Sequence, residues 1–107
     1  MVKKRIDRKI MQTAITYVAE VKKHYSVDDA ILFGSFAVGH QHEGSDIDIA
    51  IVSKDIKNTF DDSLKMTRLR RGIDVRIEPH PIRTEDYRKN ATQLTNEIRK
   101  TGFKIPA

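Results

Sequence analysis

The segment Ser45-Asp46-Ile47-Asp48-Ile49-Ala50-Ile51-Val52 constrains this chain more than any other. In extended backbone, successive side chains point to opposite faces, so Asp46 and Asp48 share one face while Ile47, Ile49 and Ile51 share the other. The acidic strand therefore spans Asp46 to Val52, and its isoleucines need a buried sheet face. Two adjacent acids on one face repel each other and resist desolvation unless a cation neutralises them. Mg²⁺ takes oxygen ligands and keeps waters that a phosphate can replace, so it suits such a pair. Upstream, Gly34-Ser35-Phe36-Ala37-Val38-Gly39 is a small glycine–serine turn. Its backbone N–H groups and hydroxyl are the usual equipment for holding a phosphate. Metal and phosphate together point to nucleotide chemistry.

The surrounding segments read as elements that frame this pair. Ile6, Ile10, Ala14, Val18, Val21 and Tyr25 form one apolar stripe at helical spacing, which predicts a helix over residues 2–25 that covers a sheet. Ala30-Ile31-Leu32-Phe33 is a short apolar run, a buried strand ended by Gly34-Ser35. Phe36-Ala37-Val38 starts a short helix closed by Gly39. His40 to Gly44 is a polar loop. A second helix is expected over Thr59 to Arg71, with Asp61 and Asp62 in its first turn and Arg68, Arg70 and Arg71 in its last, matching the helix dipole. Ile73-Asp74-Val75-Arg76-Ile77-Glu78 alternates and reads as a strand stopped by Pro79-His80-Pro81. A final helix over Thr92 to Thr101 and an extended Phe103-Lys104-Ile105 complete an α-β-α-β-α-β-α order. The fold class is α/β (α+β), one mixed sheet covered by helices.

With 107 residues, the expectation is a single domain over residues 1–107. No apolar run is long enough to span a membrane and no signal-peptide pattern is present. Cysteine is absent, which excludes disulfides and thiolate metal sites and makes the cytoplasm the expected location. A net charge of +5 suits an anionic partner such as a nucleotide, RNA or an acidic protein surface. Stacking aromatics are few among the basic residues, so direct nucleic-acid binding is not expected.

Asp74 gives the pair its chemical meaning. If its strand neighbours the acidic one, three carboxylates converge on one point. Two metals about 3.5–4 Å apart can then clamp an in-line displacement at phosphorus. His40 and His42 have the spacing of a metal pair but no third ligand beside them. Arg68, Arg70 and Arg71 are accounted for by the helix dipole.

Gly34-Ser35 followed by Ala37-x-Gly39, a polar loop, and Ser45-Asp46-x-Asp48 before Ile49-Ala50-Ile51-Val52 resembles the signature of the DNA polymerase beta-type nucleotidyltransferases. Size makes the minimal nucleotidyltransferase (MNT) branch the nearest match, the antitoxin partner of helical HEPN proteins in toxin–antitoxin modules. The resemblance implies the nucleotidyltransferase fold, with Asp46, Asp48 and Asp74 as catalytic residues and Mg²⁺ ligands for two ions. It implies that Gly34, Ser35, Gly39 and Ser45 form the nucleotide-binding turn. It also implies ATP as donor of AMP to a hydroxyl of a HEPN-type toxin. Many relatives carry arginines where this chain has Phe36 and Val38. The rival expectation is a non-catalytic antitoxin that neutralises its partner by contact; transfer to a small molecule or an RNA end is a third.

Overall fold

A computed structural model describes residues 6–42 and 44–106 of the chain. Helix α1 runs Arg8–Val21, its start fixed by Asp7, whose carboxylate accepts from the N–H groups of Lys9 and Ile10. The anticipated stripe is the buried one: Ile10, Ala14, Val18 and Val21 face inward together with Tyr17. The helix is shorter than residues 2–25. Its last anticipated turn continues as a hydrogen-bonded turn, with the His24 and Tyr25 N–H groups both donating to the Val21 carbonyl and the Tyr25 hydroxyl 2.7 Å from Asp62. Its first part, residues 2–5, lies outside the described residues.

Strand β1 (Asp29–Phe33), the single-turn helix α2 (Ser35–Val38) and β2 (Ile47–Ser53) follow. Helix α3 (Thr59–Arg68) links β2 to β3 (Ile77–Arg83), and α4 (Thr84–Arg88), α5 (Gln93–Thr101) and β4 (Phe103–Lys104) complete the chain. The four strands form one sheet in the order β3-β2-β1-β4. β1 is antiparallel to β2 and to β4, whereas β2 and β3 are parallel. A parallel neighbour requires a crossover rather than a hairpin, and α3 provides it. This mixed sheet with helices on both faces matches the expected fold class.

The two sheet faces are covered by different helices. On one, Ile47, Ile49, Ile51 and Ile77 pack with Ala14, Tyr17 and Val18 of α1 and Met66 of α3. On the other, Ile31, Phe33, Ala50, Val52 and Ile82 pack with Ile98 of α5. β2 is thus sandwiched, and Asp48 is its one position that is not buried. No helix among the described residues is long and apolar enough to cross a membrane.

The segment after α3 departs from the expected strand over Ile73 to Glu78. α3 stops at Arg68, three residues before the anticipated end. The chain then turns through Gly72, at φ +77°, and the Arg70 guanidinium donates to the Ile77 carbonyl at 2.9 Å. Arg70 therefore fastens the turn to the start of β3, beyond any role at the helix dipole. β3 begins only at Ile77 and runs through Pro79 and Pro81, the residues expected to stop it. Proline is tolerated because β3 is an edge strand: a spacing of two turns both proline nitrogens to the same edge, where no ladder bond is needed.

Candidate functional site

The site starts where β1 ends. Phe33 pairs with Asp48 across the antiparallel ladder, so the Gly34-Ser35 turn lies beside that carboxylate. Gly34 has φ +77° and ψ −150°, a backbone region open in practice to glycine alone. A Cβ there would meet the Asp48 Oδ2 at 2.3 Å. The glycine is thus required twice, by its conformation and by the acid packed against it. Gly39 closes α2 in the left-handed conformation. Phe36 is buried in the core beneath the sheet instead of lining the turn.

Ser45 is also buried, and its hydroxyl accepts from the His42 N–H at 2.8 Å while its own N–H donates to the His42 carbonyl. Its role is to close the loop that delivers Asp46 to the start of β2. His40 and His42 are exposed and do not belong to the cluster of metal-ligating side chains around Asp48.

The parallel register sets Asp48 opposite Glu78. Side chains two residues apart on a strand share a face, so His80 joins Glu78. Its Nε2 lies 3.0 Å from Asp48 Oδ1, and its ring meets Phe33 edge to face at 4.9 Å. One ligand atom each from Asp48, Glu78 and His80 lies within 4.8 Å of the others. Asp46 adds a fourth group within hydrogen-bonding reach of Glu78. Partial desolvation raises the Glu78 pKa; His80 opposes the shift, and the neighbouring Asp46 and Asp48 carboxylates reinforce it. Among the described residues, no Lys or Arg side chain forms an ion pair with these three acids. Crowded oxygen donors beside one imidazole fit a divalent metal ion.

Asp74 is not brought to this group. It lies on the loop before β3, and Arg76 takes both its oxygens: Nε at 3.1 Å on Oδ1, and Nη2 at 2.8 Å on Oδ2. The hydrogen bond from Arg76, chief among the causes, holds the Asp74 carboxyl below its ordinary value despite partial burial. An acid already neutralised by a guanidinium has little demand for a metal. The third acid beside Asp48 is Glu78. The sequence does carry a signal for it, since Glu78 and His80 alternate as Asp46 and Asp48 do. The prolines interleaved with them hide that signal. A separate cleft beside α3, lined by His24, Tyr25, Asp55, Lys57, Asp62 and Lys65 among others, contains none of these residues.

Residues 16–105 match the family model described as polymerase beta, nucleotidyltransferase. A crystal structure from Sulfolobus solfataricus, provisionally named a nucleotidyltransferase, is similar in fold with a TM-score of 0.65 and 25% identity, over 90% of this chain and 78% of that one. A toxin–antitoxin structure with AMP-PNP is similar with a TM-score of 0.64 and 21% identity, over 87% and 73% of the two chains. No curated protein matches by sequence.

Proposed function

The chain belongs to the polymerase beta nucleotidyltransferase family, and from that premise we propose that it moves AMP from ATP onto a hydroxyl of a partner protein. The observation that carries this reading is the convergence of Asp48, Glu78 and Asp46 beside the Gly34-Ser35 turn. Asp46, Asp48 and Glu78 would hold the metal, with Glu78 in the place the sequence suggests for Asp74. When bound, divalent ions such as a pair of Mg²⁺ neutralise the triphosphate and lower the pKa of the attacking hydroxyl. Gly34 lets the backbone come close to Asp48, and the Ser35 hydroxyl and adjoining N–H groups serve the phosphates, with Gly39 and Ser45 shaping the turn and its loop. The acceptor oxygen bonds to the α-phosphorus as the bond to pyrophosphate breaks, and a carboxylate of the cluster takes the hydroxyl proton. Such chemistry rests on positioning and electrostatics more than on covalent participation by the protein.

The partner we favour is a helical HEPN-type toxin. The fold shared with a toxin–antitoxin structure supports a toxin partner. Phe60 and Leu64, one turn apart on α3 and both exposed, offer an apolar contact face. Contact-only neutralisation is the second reading, and the burial of Phe36, an apolar side chain where the family resemblance leads one to expect an arginine, favours it. Incubation with labelled ATP and the toxin separates the two. Transfer of label that disappears in Asp48→Asn supports catalysis, whereas neutralisation without label, unchanged in Asp48→Asn, supports contact alone.

A further inference from the structure

Resting on the metal reading of this site, the geometry points to His80 as a nitrogen ligand of the same ion, which gives the site a preference for first-row transition ions over Mg²⁺. The Nε2 of His80 and Oδ1 of Asp48 are 3.0 Å apart. Two adjacent ligands of an octahedral ion, each at the usual distance of about 2.1 Å, are themselves separated by about 3 Å. The hydrogen-bonded pair therefore already has the spacing of neighbouring ligands, and an ion that takes the place of the shared proton needs the imidazole to turn toward it without the two atoms moving apart.

The ring is placed for this role by the fold. β3 carries it on the face shared with Glu78, and the Phe33 ring packs against it in a T-shaped arrangement. His80 and Asp48 are both partly buried, with side-chain exposures of 24% and 21%, so the imidazole is shielded yet reachable. The Asp48 carboxylate is held from both sides, Oδ2 against Gly34 and Oδ1 against His80. Imidazole favours ions such as Co²⁺ over Mg²⁺, which prefers an all-oxygen shell. A donor set of carboxylates plus one imidazole is thus biased away from Mg²⁺ by this one side chain.

The test is binding of Co²⁺ and of Mg²⁺ to the whole chain without nucleotide, by calorimetry and by the visible absorption of bound Co²⁺. Wild type, His80→Gln and Asp48→Asn are compared, each checked by its metal-free melting curve. The expected result is that His80→Gln weakens Co²⁺ about tenfold or more, leaves Mg²⁺ within a few-fold, and shifts the Co²⁺ absorption bands. Asp48→Asn weakens both ions. If His80→Gln lowers both affinities equally or changes neither, and the bands stay in place, His80 only positions Asp48 and the inference is overturned while the metal site stands. If Asp48→Asn also leaves both ions bound as before, the metal reading itself falls and the inference falls with it.

Discussion

Two carboxylates in this molecule, Asp62 and Glu78, receive opposite treatment from the fold. Asp62 on α3 is buried, and its oxygens accept from the Tyr25 hydroxyl at 2.7 Å and from the N–H groups of Lys57 and Asn58 at 3.0 and 3.2 Å. Burial raises its pKa, but those hydrogen bonds, with help from Lys65, outweigh burial and leave it below the ordinary carboxylate value. Among the described residues Glu78 on β3 has no N–H or hydroxyl donor of that kind; it is raised by desolvation and by two neighbouring acids. One region uses a carboxylate to knit a helix to a loop. The other stores repulsion that a cation can relieve.

The contrast is sharpest under mutation. Asp62→Ala leaves two backbone donors and the Tyr25 hydroxyl without their acceptor, at about 1–3 kcal/mol for each group that stays dry. A thermal melt should therefore show a larger loss for Asp62→Ala than for Gly34→Ala, Glu78→Gln or Arg76→Ala. Its pH dependence follows from linkage: the folded pKa is lowered, so the Asp62 contribution is complete above the ordinary carboxylate range and is lost as pH falls through the folded value. A shallower acid limb in the melting temperature of Asp62→Asn than in wild type, the remainder coming from other lowered carboxyls such as Asp74, checks the sign.

Gly34→Ala comes next. The positive φ and the clash with Asp48 set a cost of about 1–3 kcal/mol, and the displaced Asp48 should also weaken metal binding, which calorimetry would detect. Glu78→Gln has the opposite sign. Because its folded pKa is raised, Glu78 makes the metal-free protein less stable as pH climbs above the ordinary carboxylate range. The variant should melt slightly higher than wild type at neutral pH and lose the further stabilisation that added metal gives wild type. Arg76→Ala should do least, about 0–1 kcal/mol, since its pair with Asp74 is partly exposed.

The same contrast explains what can be read from the sequence. The acid–isoleucine alternation locates β2, the turn at Gly34 and the Asp48 side of the site, because period-two patterning and a mandatory glycine are local signals. The apolar stripe of α1 is equally local. Asp74 is misplaced by its own pattern for a non-local reason: residues 73–78 alternate, yet Val75 is 75% exposed and the strand starts only at Ile77. What decides the register is Arg70 reaching the Ile77 carbonyl, together with an edge position that lets Pro79 and Pro81 sit in a strand. Neither follows from the segment's alternation. Likewise, Asp62 reads in sequence as a helix-dipole residue; its bond to Tyr25, 37 residues away in the chain, belongs to packing.

The central claim is that the metal site is built from Asp48, Glu78 and Asp46, with Asp74 committed to Arg76. Metal-dependent nucleotidyl transfer to the partner, measured side by side for Glu78→Gln and Asp74→Asn, tests it most directly. The account predicts that Glu78→Gln loses transfer by about a hundredfold or more, beyond the loss usual for residues that only support a ligand, while Asp74→Asn stays within a few-fold of wild type. Full activity in Glu78→Gln with a dead Asp74→Asn would contradict it.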